Sequence, residues 1–497
     1  MPLRHRPVEP LAERSSGAGP GWLPFALAGL AAIVVRLPLL RVPLDADEGG
    51  YAYLARRWAA GGQLYGPVWV DRPQGLMLGY RLVTAAGTAP SLIRLAAVLL
   101  ALVLAAGVAA AAWSLAGRRA AVLAALLVAV AGAAPHLQGF MFNGELAAGA
   151  FAGWAVAATA WYRRSGSRWW LPLAGLAGGS ALLMKQSGFD GLLLALGYAL
   201  WAGDRRPGLV GHTRGWLGRL RAASLVAVGA ALPIGLAVLQ AALTSWHDWW
   251  FAVVGYRLQT SAGSRGGLAG RWHNLTAGLP HLWPDLLPLG LLGIAGLVVT
   301  ARRRTWLPAA WLGLAFAGFF GGVFFFPHYW MQLVGPLCLL GAIALAELKG
   351  KAALAMLLVA SLPCALWTVH AAASTSDRRD RLAVPDRRLL ANRDISRWLR
   401  GHAAPNDQLY AFVSSADLYY TTGLHTDFRY LWQANLEAIP GSVAQLDGYL
   451  AGADRPRWVV LYEQPDAIDP SGRTGRILAT GYEPAAVLDG YQILRAR

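Results

Sequence analysis

Cysteine is almost absent: Cys338 and Cys364 are the two in 497 residues, and both fall inside apolar runs. That excludes a disulfide framework and a cysteine-built zinc site, and leaves packing as their role. Charge is scarce too, at 14% of residues against 56% hydrophobic, where a soluble domain carries about 25% charged. Acidic residues are the rarer sign, 27 against 44 Lys and Arg. The resulting net charge of +17 falls in short arginine clusters between apolar runs rather than on one contiguous face, which argues against nucleic acid as a partner. No internal repeat is visible, and the only low-complexity joint is "AAASTSDRRD" at 371–380. No cleavable signal peptide is expected: "MPLRHRPVEPLAERSSGAGP" reads as a polar arm before a retained first span.

What is present is a series of apolar stretches, many near the roughly 20 residues that cross a hydrocarbon layer as a helix. The mean hydropathy of +0.40 agrees. Open sheets leave backbone groups unsatisfied in lipid, so the expected fold is mainly α, a polytopic transmembrane helical bundle. Basic clusters at Arg4/Arg6/Arg14, Arg118/Arg119, Arg163/Arg164/Arg168, Arg205 through Arg221, Arg302/Arg303/Arg304 and Lys349/Lys351 read as cytoplasmic turns. Between them the spans are expected at 22–40, 91–113, 120–135, 145–162, 169–184, 189–203, 222–243, 285–300, 305–326, 331–347 and 352–371. The two at 169–184 and 189–203 are short for full crossings. About eleven crossings put the N-terminus in the cytoplasm and the C-terminus outside, in a plasma membrane. The expected organisation is a cytoplasmic arm over 1–21, a transmembrane domain over 22–371 and an extracytoplasmic soluble α/β domain over 372–497. In that last part the pattern predicts a helix at about 386–401, strands at 408–413, 428–432 and 457–463, a helix at about 442–451, and a closing hairpin around Asp489-Gly490.

Acidic residues concentrate in "RVPLDADEGGYAYLARRWAAGGQLYGPVWVDRPQG", which follows the first span on the outer side. Repulsion and partial desolvation push carboxylates placed like this toward the range of a general base. Asp45 reads as the N-cap of a helix over Glu48–Ala60, whose Tyr51, Leu54, Ala55 and Trp58 share a face suited to the interface. Trp69 and Tyr80 are expected at headgroup depth. Asp47 and Glu48 read as chemistry.

The acidic pair Asp47-Glu48, the following "YAYLARRWAAGGQLY" and the basic-Pro element Arg72-Pro73 together resemble the first outer loop of the C-type glycosyltransferase superfamily, in particular dolichyl-phosphate-mannose protein mannosyltransferases and lipid A aminoarabinose transferases. The resemblance spans about residues 22–370. It implies a polyprenyl-phosphate-linked sugar donor, with transfer to an envelope glycan, a lipid or, less in keeping with a tail unlike the mannosyltransferases' β-trefoil, a protein. On it, Asp47 is the catalytic base and Glu48 orients sugar or acceptor. Glu145 in "FNGEL" is the second acidic site, against a helix-start reading. Arg72, Lys185 in "GLAGGSALLMKQSG", and His328 and Tyr329 in "FFFPHYWMQLVGP" bind the donor phosphate, although a lysine at a span end also snorkels and aromatics also form interfacial belts. Tyr51, Asn143 and Trp246 are candidate substrate contacts, with the belt favoured for Trp246. A monophosphate leaving group requires no cofactor, but "DAD" offers Asp45 and Asp47 as a candidate divalent-metal pair. The competing readings are a lipid or sugar flippase without covalent chemistry, and a glycan ligase or polymerase using lipid-diphosphate donors.

Overall fold

The computed structural model describes residues 21–203, 215–262, 267–322, 324–412 and 415–497. The Arg4/Arg6/Arg14 arm and positions 205–214 of the long basic run lie outside the described residues.

Every one of the eleven apolar runs is helical. Among the described residues five helices are long and apolar enough to cross a membrane: Pro90–Ala133, Trp216–Thr244, Leu268–Arg302, Pro327–Glu347 and Gly350–Ala373. Leu23–Leu39, Trp170–Met184, Asp190–Ala202 and Leu307–Phe320 are apolar but shorter.

The runs expected as two spans at 91–113 and 120–135 form one element, Pro90–Val130, broken at Gly117. Its φ of 85° lies in the region that favours glycine, and the chain reverses there. Arg94 at one end meets Glu48 and Phe140, whereas Arg118 and Arg119 at the reversal donate to the carbonyls of Gly21 and Leu348. Arg118 and Arg119 therefore lie at the opposite end of this element from Arg94 and the acidic first loop.

Helices Trp170–Met184 and Trp216–Thr244 touch backbone to backbone. A methyl group on Gly175 would lie 1.9 Å from the Val226 carbonyl oxygen, and one on Gly229 the same distance from that of Pro172. Small residues permit this approach where lipid gives helices no hydrophobic drive to associate. It fixes the helix whose C-cap is Lys185.

The C-terminal region begins with helices Ser376–Ala383 and Arg387–His402 and builds a four-stranded sheet: β1 (Leu409–Phe412), β2 (Trp458–Leu461), β3 (Tyr482–Leu488) and β4 (Tyr491–Ala496), in the order β1-β2-β4-β3. β1 and β2 are parallel, connected through helices that include Ser442–Ala451, and the other pairs are antiparallel. The Asp489-Gly490 hairpin forms as expected, both residues taking positive φ. The strand expected at 428–432 does not form. That stretch is irregular, with Phe428, Tyr430 and Leu431 buried and Tyr430 edge-on to Trp69 at 5.3 Å. Its aromatic side chains join the sheet domain to the first loop, and a hydrophobic run that serves two partners in this way satisfies the sequence pattern of a strand without pairing as one.

The same contact alters the first loop. Helix Ala46–Ala59 forms, but Glu48 through Ala55 are buried on every side, and Trp69 and Tyr80 are 1% and 0% exposed. Tyr430 of the C-terminal region covers Trp69, and Tyr80 is stacked on Phe142 at 4.4 Å. Tyr53 stacks on Tyr419 at 5.0 Å, and its hydroxyl accepts from the Thr426 amide at 3.0 Å.

Candidate active site

Between the acidic end of the bundle and the C-terminal domain lies a cavity of about 860 Å³. Asp47, Arg72, Lys185, His328, Tyr329 and Tyr51 all line it, although they come from four separate stretches of chain.

The geometry starts with a helix cap. Asp45 has extended backbone angles, and its Oδ1 accepts from the Asp47 amide at 3.0 Å. The Asp45 amide in turn donates to Glu48 Oε2 at 3.1 Å, closing a capping box. Burial, reinforced by the neighbouring Asp47 charge, pushes the Asp45 carboxyl up to about 6. This box turns Asp47 toward the cavity and Glu48 away from it.

Glu48 is 1% exposed. Its Oε2 lies 2.9 Å from Arg94 Nη2, and its Oε1 accepts from the Phe142 amide at 2.9 Å. Burial raises its carboxyl pKa, with Arg94 as the largest opposing influence. Glu48 does not line the cavity: it anchors the helix that carries Asp47 to the start of Pro90–Val130 and to the segment before Gly144.

Asp47 keeps 26% of its side chain exposed. Its Oδ2 accepts from the Tyr51 hydroxyl at 3.0 Å and stands 3.8 Å from Arg72 Nη2. Arg72 is held by Asp71, whose Oδ2 lies 2.8 Å from Nη1 and also pairs with Arg257. Gln186 donates to the Asp71 carbonyl at 2.7 Å, linking this loop to the residue after Lys185.

Lys185 pairs with Glu145, and its Nζ lies 3.6 Å from the centre of the Tyr329 ring. Glu145 is buried, does not line the cavity, and sits in the first turn of helix Gly144–Ser165. Asn143 caps that helix, accepting from the Leu146 amide at 2.8 Å, and also stays out of the cavity. His328 Nδ1 is 2.9 Å from Gln138 Oε1, its ring stacked on Phe326. Trp246 lies elsewhere, 48% exposed and packed against Trp249 and Trp250.

Sequence reasoning missed several cavity residues: Asp71, Arg257, Tyr256, Gln138, and Trp432 and Asn435 of the C-terminal domain. Asp71 had a signal, standing directly before Arg72-Pro73. Arg257 had a weaker one, in the aromatic, mixed-charge stretch "SWHDWWFAVVGYRLQTSAG". Among the described residues no three His, Cys, Asp or Glu side chains gather as a metal site. In the Asp45 and Asp47 pair, Asp45 Oδ1 accepts from the Asp47 amide and Asp47 Oδ2 from the Tyr51 hydroxyl.

No protein-family model matches the chain, and no curated protein sequence matches it. Solved structures do. ArnT from Cupriavidus metallidurans bound to undecaprenyl phosphate aligns with a TM-score of 0.68 at 17% identity, over 96% of this chain and 98% of that one. The Archaeoglobus fulgidus oligosaccharyltransferase tethered with an acceptor peptide aligns at 0.55 and 14% identity, over 93% and 72%. AglB from the same organism, in complex with an inhibitory peptide and a dolichol-phosphate, aligns at 0.52 and 14% identity, over 88% and 69%. The chain therefore has the fold of the C-type glycosyltransferases, shared with ArnT and AglB.

Proposed function

We propose that this protein is an integral membrane glycosyltransferase that moves a sugar from a polyprenyl-phosphate carrier to an acceptor outside the cytoplasm. Its eleven helical runs are arranged with the N-terminus inside and the C-terminal domain outside. The observation that carries the reading is the meeting of Asp47 and Arg72, 3.8 Å apart, on a cavity wall that also includes Lys185. A carboxylate and two cations from distant parts of the chain suit a reaction that frees a nucleophile and releases an anionic lipid. The fold of ArnT, solved with undecaprenyl phosphate, supports that class of donor.

In this mechanism an acceptor hydroxyl gives its proton to Asp47 while its oxygen attacks the anomeric carbon. The bond from that carbon to the phosphate oxygen breaks, and the polyprenyl phosphate departs with the electron pair, inverting the anomeric centre. Negative charge grows on the departing phosphate, and Arg72, Arg257 and Lys185 meet it. Asp71 and Glu145 hold these cations in place, and Tyr329 lies under the lysine ammonium. His328 lines the same wall, its Nδ1–H given to Gln138 Oε1. Phe319, Phe324 and Phe326 make the adjoining wall apolar, as a prenyl chain requires. Glu48 acts as an anchor. No step is routed through a metal.

Purified full-length protein in nanodiscs, given a panel of labelled hexosyl, pentosyl and aminopentosyl undecaprenyl phosphates with envelope extract as acceptor, tests the proposal. Transfer of label from one of them is expected, and its loss in Arg72→Ala. Movement of labelled lipid between leaflets with no transfer would instead identify a flippase.

A further inference from the structure

The groups assigned to the reaction belong to the bundle and its loops, yet one of them is held from the C-terminal domain. The Trp432 ring lies 5.5 Å from that of Tyr51. Tyr51 donates its hydroxyl to Asp47 at 3.0 Å and carries the Arg72 guanidinium 5.6 Å from its ring centre. Tyr80 meets Tyr51 edge-on at 5.6 Å. Tyr51 thus touches both the carboxylate and the cation, and Trp432 and Tyr80 are its aromatic neighbours.

The approach that brings Trp432 there leaves no room for side chains. A methyl on Gly50 would come within 2.7 Å of Trp432 Cζ2, and one on Gly49 within 2.3 Å of the Asp417 Cα. Two glycines directly after Asp47-Glu48 let the soluble domain rest on the first turn of the helix. A second tie repeats the pattern: Asn435 donates to the Tyr256 hydroxyl at 3.2 Å, and the next residue, Arg257, pairs with Asp71.

We infer that Trp432 is a positioning residue for the general base. It fixes the Tyr51 ring, and the Tyr51 hydroxyl then holds the Asp47 carboxylate toward the acceptor. Without that wall Tyr51 gains rotamer freedom, and Asp47 is free to close on Arg72, 3.8 Å away. The C-terminal domain thereby completes the site. The inference rests on Asp47 as the base.

The test compares Trp432→Ala and Trp432→Phe in the full chain in nanodiscs, with the donor that the unaltered protein turns over. Trp432→Ala is expected to lower kcat at least ~10-fold while the donor KM and the Kd for undecaprenyl phosphate stay within about 2-fold, the signature of lost alignment rather than lost binding. Trp432→Phe, which keeps an aromatic face, should recover most of the rate. Adding Tyr51→Phe to Trp432→Ala should cost little more, because both act through one link. Unchanged kcat in Trp432→Ala, or losses that multiply, would overturn the inference alone. Should no donor be turned over, the glycosyltransferase reading fails, and amide exchange over residues 46–52 decides the positioning. Faster exchange in Trp432→Ala but not in Trp432→Phe supports it, and equal exchange in all three refutes it.

Discussion

Arg94 Nη2 lies 2.9 Å from Glu48 Oε2, with the two side chains 1% and 2% exposed, and the same nitrogen donates to the Pro43 carbonyl at 2.8 Å. One buried pair thus joins the first loop to helix Pro90–Val130. Removing one partner of such a pair strands the other charge, at a cost of about 3–5 kcal/mol. Arg94→Ala and Glu48→Gln are each expected to lower the thermal midpoint sharply in detergent, because each leaves one buried charge without its partner. Equal midpoints for Arg94→Ala and the unaltered protein would show that the pair anchors nothing.

Asp47→Asn should behave differently, because Asp47 faces the cavity and closes no buried pair. Transfer is expected to fall by roughly 10²–10⁴-fold, the range of a lost general base, with the thermal midpoint and undecaprenyl phosphate binding retained. Near-normal turnover would remove Asp47 from the mechanism.

Transfer is also expected to survive prolonged treatment with EDTA. In the proposed reaction the charge on the departing phosphate is met by Arg72, Arg257 and Lys185, which line the cavity, rather than by an ion. Loss of turnover on chelation, restored by one divalent ion, would contradict this.

Asp417 supplies a pH signature of the C-terminal domain. Its carboxyl is pushed up to about 7, first by burial and against the hydrogen bond that Asn392 donates at 2.7 Å. An unfolded aspartate titrates near ~4, so between about pH 4 and pH 7 the folded protein keeps a proton that the unfolded chain has released. Stability from this group is present below that window and falls as pH rises through it. Asp417→Asn should therefore match the unaltered protein near pH 4 and exceed it above pH 7, by an amount on the order of 2–4 kcal/mol. Parallel midpoint curves for the two proteins would refute this assignment.

Gly229→Val places a branched side chain where a single methyl already lies 1.9 Å from the Pro172 carbonyl oxygen. The helices must separate, and Lys185 at the end of Trp170–Met184 moves with them. Loss of monodisperse protein in detergent, or weaker undecaprenyl phosphate binding in what remains, is expected. Gly197→Ala, with nothing near its added methyl, serves as the control.

The sequence by itself determined the helical runs, the cap at Asp45 and the closing hairpin at Asp489-Gly490. These depend on composition, on hydrophobic period and on short-range chemistry between neighbours. It also singled out Asp47, Arg72, Lys185, His328 and Tyr329, through the resemblance of the short motifs around them to those of the C-type glycosyltransferases. Tertiary structure alone decided how adjacent residues divided their work. Glu48 and Asp47 are neighbours with the same chemistry, yet one meets Arg94 in the interior and the other meets Tyr51 at the cavity, since consecutive residues on a helix point about 100° apart. Only the fold brought Asp71, Arg257 and Trp432 together, and only the packing of the C-terminal region on Gly49 and Gly50 buried the start of a helix that the sequence had laid on the membrane surface. Contacts between residues hundreds of positions apart leave no periodic trace in one sequence, because what they require is a shape supplied by the partner.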